Sequence, residues 1–390
     1  VVVLKLHNHY QQSGGEDQSF AAEAALLEAR GHRVVRFTLH NDLIKNMHFL
    51  QLGMKTIWNV SAYRRLRELI RRERPQVVHV HNTFPLLSPS VYYAAKAEGL
   101  PVVQSLRNYR LLCPNALFFR GGRVCEDCIG KVPWPGVLHG CYRGSRAATG
   151  TVAAMLTAHR LLGTWSRMVD MYIALTEFAR RKFIEGGIPA EKIVVKPNFV
   201  YPDPGVGEGR GRYALFVGRL VPEKGVRTLL RAWKRLGRWV PLIVVGDGPL
   251  AEEVRHAAVQ VRGVHWLGRK SPKDVFELMG EAAFLVFPSE WYETFGRVAI
   301  EAFAKGTPVV AAAIGAVGEV TEHMRTGLHF RPGDAEDLVA KVEWLLSHPQ
   351  DLARMRREAR AEYEAKYTAE RNYEMLAEIY RQAIEAHRKD

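Results

Sequence analysis

Short apolar runs alternate with stretches of helical periodicity from one end of the chain to the other. A continuous apolar run leaves no face for water, so it suits a strand covered on both sides, with a helix returning the chain between strands. In the first half VVVLKLH, HRVVRFTL, QVVHVHN, PVVQSL and MYIALT read as strands, and in the second half YALFVGRL, PLIVVGDG, VHWLG, AFLVFPS and PVVAAA do the same. This alternation predicts parallel sheets with crossover helices. The Pro- and Gly-rich stretch 194-VVKPNFVYPDPGVGEGRGR-212 separates the two sets and reads as an interdomain linker. The expected fold is α/β, with two doubly wound domains facing each other across a cleft. Ligands in such sheets bind beyond the carboxyl ends of the strands.

Length agrees, since 390 residues exceed one comfortable core. The expected division is 1–197 as an N-terminal acceptor-side domain, 198–365 as a C-terminal donor domain, and 366–390 as a helix crossing back to the first. No stretch approaches the ~18 uncharged apolar residues of a bilayer span. The beginning of the chain reads as a buried strand rather than a signal peptide, so a cytoplasmic protein is expected.

Charge is uneven. Residues 1–200 hold 27 Lys and Arg against 14 Asp and Glu, whereas residues 201–390 hold 28 against 27. A basic half suits an anionic membrane surface or a phosphorylated ligand, although solvated helix faces such as 64-RRLRELIRRERP-75 account for part of it. No nucleic-acid module accompanies the charge, so nucleic acid is not an expected partner.

Candidate chemistry gathers at strand exits of the second half. In 216-FVGRLVPEKG-225, Gly218 ends a strand and Arg219 and Lys224 precede a helix, which suits a diphosphate: cations and backbone donors together. The turns at 245-VGDGPL-250 and 266-WLGRKS-271 place Gly246, Gly268 and Arg269 where a backbone can approach a ligand, or are merely turns. In 289-SEWYETFGRVAIEAFAKGTPVV-310, Glu293 and Glu301 stand eight positions apart. On one helix they would be about 12 Å apart along the axis and about 80° apart around it, too far to share one group. With Glu293 in the loop, Gly296 at the helix start and Glu301 inside the helix, each carboxylate can accept from its own pair of sugar hydroxyls.

Together, Gly218–Arg219, Lys224, GDGPL and the E-x7-E pair around Thr294, Phe295 and Gly296 resemble the donor half of a retaining glycosyltransferase of family 4, with the GT-B fold. The loop 14-GGED-17 and the KPN at the linker fit the same family. The resemblance implies that Arg219 and Lys224 bind the donor diphosphate, that Glu293 with the amides of Phe295 and Gly296 meets the sugar, and that Glu301 holds the ribose. Gly14 and Gly15 would approach the diphosphate and acceptor. It further implies a nucleotide-diphosphate sugar of UDP or GDP type, a glycan or lipid-linked acceptor hydroxyl as in cell-surface polysaccharide synthesis, and no metal or other cofactor for catalysis. The lack of an Asp-x-Asp triplet is consistent. Front-face attack assisted by the departing phosphate is favoured over Glu293 acting as a nucleophile. One position departs from the family: 104-QSLRNYRLLC-113 has Arg107 where members commonly carry a histidine near the donor sugar. Arginine cannot serve as a base, but it can contact phosphate or sugar. A nucleotide-sugar epimerase or an inactive nucleotide-sugar-binding scaffold on the same fold are the alternatives. Acceptor choice is expected in the loops 7-HNHYQQSGG-15 and 79-HVHNTF-84.

All four cysteines, Cys113, Cys125, Cys128 and Cys141, fall within 29 residues as C-x11-C-x2-C-x12-C. That spacing suits a structural zinc site, with two disulfides or unlinked thiols as alternatives. The surrounding excursion, 114–146, carries Phe118, Phe119 and Trp134, and 151–170 reads as a basic amphipathic helix. Together they are expected to rest on an anionic membrane, peripheral at the inner face, or to grip the acceptor.

Overall fold

The structure is a computed structural model, and it describes residues 1–11 and 14–387. The chain forms two compact units: residues 1–118, 126–196 and 372–390, and residues 119–125 and 197–371.

The first unit opens with β1 (Val2–His9), α1 (Gly15–Ala29), β2 (Arg33–His40), α2 (Phe49–Ile57), α3 (Val60–Glu73), β3 (Val77–Asn82), α4 (Ser90–Ala97) and β4 (Val102–Leu106). A hairpin of β5 (Phe119–Arg120) and β6 (Arg123–Val124) groups with the second unit. The chain then returns through α5 (Trp134–Leu138), α6 (Arg146–Leu161), α7 (Thr164–Arg167), β7 (Met171–Ala174), α8 (Glu177–Glu185) and β8 (Ile193–Val195). The sheet is parallel, in the order β2-β1-β3-β4-β7-β8. β8 takes Val194 and Val195 from the expected linker: three apolar residues pair with β7 before Pro197 ends the strand.

The second unit runs through β9 (Ala214–Val217), α9 (Val226–Leu236), β10 (Leu242–Val245), α10 (Ala251–Gln260), β11 (Val264–Trp266), α11 (Pro272–Glu281) and β12 (Phe284–Phe287). It continues with α12 (Arg297–Ala304), β13 (Val309–Ala312), α13 (Gly315–Val320), β14 (Gly327–Phe330), α14 (Ala335–Ser347) and α15 (Pro349–Lys366). Its sheet is parallel too, ordered β11-β10-β9-β12-β13-β14. The last helix, α16 (Ala369–His387), sends Leu376, Ile379, Tyr380 and Ala383 into the core of the first unit against Val3, Leu27, Val77 and Val103.

In each sheet the strand order reverses once: between β1 and β3 in the first, and between β9 and β12 in the second. Neighbouring crossovers leave the sheet on opposite faces there, which opens a crevice at the carboxyl ends of the strands. Such a crevice presents loop backbone and helix N-termini to a ligand.

Candidate functional site

At the crevice of the second unit, three strand exits are laced together through backbone. The Gly218 N–H donates to the Val245 carbonyl at 3.0 Å, the Gly246 N–H to the Gly268 carbonyl at 2.9 Å, and the Leu220 N–H to the Asp247 carbonyl at 3.0 Å. Gly246 has φ 141°, and a Cβ there would lie 1.8 Å from the Gly218 carbonyl oxygen, so only glycine permits this lacing. Gly225, at φ 69°, starts α9 against the Pro288 carbonyl, whose oxygen would likewise lie 1.8 Å from a Cβ. The loop after β9 is thereby pinned to the loop after β12.

Those two loops carry the candidate chemistry. Glu293, 8% exposed, accepts at one oxygen, Oε1, from the Lys224 ammonium, from Ser289 Oγ at 2.9 Å and from Trp291 Nε1 at 3.0 Å. Lys224 also lies over the rings of Phe287 and Trp291, at 5.6 and 5.7 Å from their centres. Arg219 is exposed and has no carboxylate within ion-pair reach among the described residues. Gly296 caps α12 at φ 91°, while the Phe295 ring is buried and faces Tyr367 at 6.1 Å, leaving Phe295 its backbone to offer a ligand. One and a half turns on, Arg297 Nε donates to Glu301 Oε1 at 2.8 Å. Burial raises the Glu301 carboxyl above its ordinary value, with Arg297 opposing. Gly268 and Arg269 follow β11, where Arg269 is largely exposed and 3.6 Å from Asp247 Oδ2.

The first unit holds a second set of functional groups at its own strand ends. Asp17, in the first turn of α1, accepts from His7 Nε2 and His9 Nδ1 at 2.9 Å each through Oδ1, and from the Gly14 N–H at 2.9 Å through Oδ2. One carboxylate thus anchors the Gly14–Gly15 turn to β1. Deeper lies Glu23, 1% exposed, with Lys5 Nζ at 2.9 Å, Lys196 Nζ at 3.1 Å and Arg107 Nη2 at 3.6 Å. Burial alone would raise the Glu23 carboxyl, and the Lys5 and Lys196 ammonium groups outweigh it, holding it well below the usual carboxylate range. His79 and His81 complete the cluster. Burial keeps both imidazoles neutral, well below their ordinary value. His79 bridges Tyr380 OH at 2.7 Å and Ser105 Oγ at 2.9 Å. His81 accepts from Arg107 Nε at 3.1 Å, so its own proton sits on Nε2, facing Glu23 at 3.3 Å without hydrogen-bond alignment. Above the cluster, Arg107, Arg110, Asn108, Gln104 and Thr83 line a small pocket of this unit.

These positions narrow the expected acceptor loops. His7 and His79 of the two expected loops lie on β1 and β3 with side chains buried under α1 and α16, whereas His81, Asn82, Thr83 and Phe84 line the pocket that also holds Arg107 and Arg110. Gln12 and Ser13 of the first expected loop lie outside the described residues. Sequence reasoning misses Ser289 and Trp291, which set the Glu293 carboxylate, although both flank it in the SEWYE stretch. In the excursion, the Cys128 sulfur and the ring of Pro114, next to Cys113, approach Gly136 to 3.6 and 3.0 Å of a Cβ placed there. The Cys141 N–H donates to the Gly136 carbonyl at 3.0 Å. Cys113 and Cys128 are buried, Cys125 and Cys141 half-buried.

Two parallel-sheet Rossmann-like units of this strand order are the architecture of the GT-B class of glycosyltransferases. Comparison with known proteins agrees: residues 14–198 match the model of the glycosyl transferase 4-like domain, and residues 206–362 match that of the glycosyl transferases group 1. The chain is 30% identical over 342 residues to an uncharacterized glycosyltransferase of Methanocaldococcus jannaschii, covering 87% of this chain and 85% of that one. The chain belongs to this glycosyltransferase family. It is also 35% identical over 162 residues to the D-rhamnosyltransferase WbpZ of Pseudomonas aeruginosa, 40% of this chain and 42% of that one. Among solved structures, a glycosyltransferase from Rickettsia africae superposes with a TM-score of 0.73 at 17% identity, covering 98% of both chains. Anabaena HepE in complex with UDP gives 0.70 at 19% identity, covering 97% of this chain and 99% of that one.

Proposed function

We propose that the chain transfers a sugar from a nucleotide-diphosphate sugar, of UDP or GDP type, to a hydroxyl of a glycan or lipid-linked acceptor, with retention at the anomeric carbon and no catalytic metal. The observation that carries this reading is the pinned pair of loops holding Arg219, Lys224 and Glu293 at the switch point of the second sheet. Arg219 and Lys224, with the amide end of α9, receive the diphosphate and stabilise the charge it gains as the glycosidic bond breaks. Glu293 and the amides at Phe295 and Gly296 orient the sugar. Glu301 keeps Arg297 on Oε1 and offers Oε2 to the ribose hydroxyls. The acceptor oxygen bonds to the anomeric carbon on the face the diphosphate leaves, and the departing phosphate oxygen takes the acceptor's proton. UDP bound to HepE supports the nucleotide half of the reading. The pocket holding Arg107 and Arg110 in the first unit is assigned to the acceptor side.

Thermal unfolding with UDP, GDP, ADP and TDP, each with EDTA, tests the site. At 100 times its dissociation constant, the preferred nucleotide adds about 2.7 kcal/mol, a rise of roughly 5–10 °C. Glu301→Ala abolishes the rise. Because burial raises the Glu301 carboxyl, nucleotide affinity falls with acid at a higher pH than an ordinary carboxylate would dictate. A full rise in Glu301→Ala would remove that residue from the site.

The cysteine excursion is proposed to hold one structural zinc, on the support of its C-x11-C-x2-C-x12-C spacing; the Cys128 sulfur and the Cys141 N–H both lie at Gly136, while the Cys113 thiol donates to Asn115 Oδ1 at 2.9 Å. Elemental analysis of the purified protein would return about one zinc per chain. A zinc-free protein with unchanged unfolding temperature would refute it.

A further inference from the structure

The first unit exposes large apolar side chains in one place. α2 and α5 both pack on α6, and they do so at the same turn: a methyl on Gly53 would lie 3.6 Å from Thr151, and one on Gly150 would lie 4.0 Å from Val137. α6 faces inward with Val152, Met155, Leu156 and His159, so the expected basic amphipathic helix has its apolar stripe buried. Its outer stripe is small and uncharged, running Ala147, Thr151, Ala154, Ala158. The flanking helices rise beside that stripe with Leu50 and Met54 of α2, both 65% exposed, and Trp134 and Leu138 of α5, at 62% and 51%. Leu161, 83% exposed, stands at the end of α6. Such a group of side chains in water is costly unless something covers it.

The charge around this platform is predominantly positive. Residues 43–67 and 128–169 contain no Asp or Glu, while Lys45, Lys55, Lys131, Arg143, Arg146 and Arg160 lie among them. Arg160 also reaches across to the Lys131 carbonyl at 2.8 Å, tying the end of α6 to the start of the α5 segment. Apolar prongs with an aromatic among them, flanked by cations of which Lys45 is paired with Asp42 at 2.8 Å, match the boundary between anionic headgroups and acyl chains.

We infer that the α2–α5–α6 platform docks the protein on an anionic lipid bilayer, with Leu50, Met54, Trp134 and Leu161 entering the headgroup boundary and Lys55, Arg146 and Arg160 meeting the headgroup phosphates. The inference stands apart from the transfer reaction, since docking needs no donor.

The test is co-sedimentation with vesicles of phosphatidylcholine alone and of equimolar phosphatidylcholine and phosphatidylglycerol. The protein pellets with the anionic vesicles and not with the neutral ones, and added salt releases it. Leu50→Asp with Met54→Asp, and separately Trp134→Asp, weaken vesicle binding by about tenfold or more. The same variants keep the wild-type unfolding temperature and nucleotide-induced rise, which shows that their fold and donor site are intact. Absence of binding to anionic vesicles, equal binding to neutral ones, or undiminished binding by the variants would overturn the inference. So would a dimer in sedimentation velocity that the same variants dissociate, because a second copy would then be the occupant.

Discussion

Lys224→Ala lowers kcat/KM by about 10²–10³, a loss of roughly 3–4 kcal/mol of transition-state stabilisation. Two effects combine. The leaving diphosphate gains negative charge as its bond to the sugar breaks, and Lys224 is the cation held beside the pinned loop by a carboxylate and two aromatic rings. Removing it also takes the ammonium from Glu293, whose accepting oxygen keeps Ser289 and Trp291. A carboxylate 8% exposed that loses this cation reorients toward its remaining donors, so the sugar-orienting contact weakens as well. Lys224→Arg restores only part of the rate, because a guanidinium fork needs more room than a point-like ammonium between the rings of Phe287 and Trp291. Steady-state kinetics on the preferred donor decide it: kcat/KM within about threefold of wild type would show that Lys224 is a structural partner of Glu293 and not a diphosphate ligand.

Glu23→Gln destabilises the first unit by about 3–5 kcal/mol, the range for breaking a buried ion cluster by removing one partner. The amide keeps the shape and loses the charge, leaving Lys5 and Lys196, both buried, with no opposing charge at 2.9 and 3.1 Å. Glu28→Gln is the control. Glu28 pairs with Arg36 at 2.7 Å, but both are 42% exposed, and such pairs contribute about 0–1 kcal/mol. The carboxyl of Glu23 sits well below its ordinary value in the folded chain, so its contribution is complete above the unfolded value of about 4.3 and is lost as pH falls from there through the folded value. Wild type therefore loses stability in acid below about pH 4, and Glu23→Gln loses less over the same interval. Chemical unfolding at several pH values measures both; equal stability of Glu23→Gln and Glu28→Gln at neutral pH would refute the buried cluster's role.

The contrast between Glu293 and Glu23 shows what a sequence discloses. Arg219, Lys224 and Glu293 are legible as candidates because each follows an apolar run that reads as a strand, and strand exits are where a doubly wound sheet binds ligands, whereas Glu301, inside α12, is singled out only by the E-x7-E pattern that resembles the family. The buried cluster is not legible. Lys5 on β1, Glu23 on α1, His79 and His81 on β3, Arg107 after β4 and Lys196 after β8 are separate in sequence, and each alone reads as a solvated or loop residue. Only parallel pairing of β1 with β3, and of β3 with β4, stacks them on one face. Short strands escape for another reason: Ile193–Val195 and Gly327–Phe330 are too brief for periodicity to register. The helix expected over 151–170 begins earlier and stops sooner, because Ser145 Oγ caps Ala148 at 3.2 Å and Gly163, at φ 69°, breaks the chain before α7. The α2 prongs are hidden from sequence for the same kind of reason, since exposure of Leu50 and Met54 depends on which helix covers them.

Cleavage of a nucleotide-diphosphate sugar by the second unit, with retention, is tested most directly by following the anomeric proton by NMR while the protein, with EDTA present, acts on each of a panel of UDP- and GDP-sugars. The expected result is that one donor releases its nucleoside diphosphate, that the sugar first carries the donor's own anomeric configuration before mutarotation, and that Lys224→Ala slows the release. Release of sugar with inverted configuration, or no release from any donor, would contradict it.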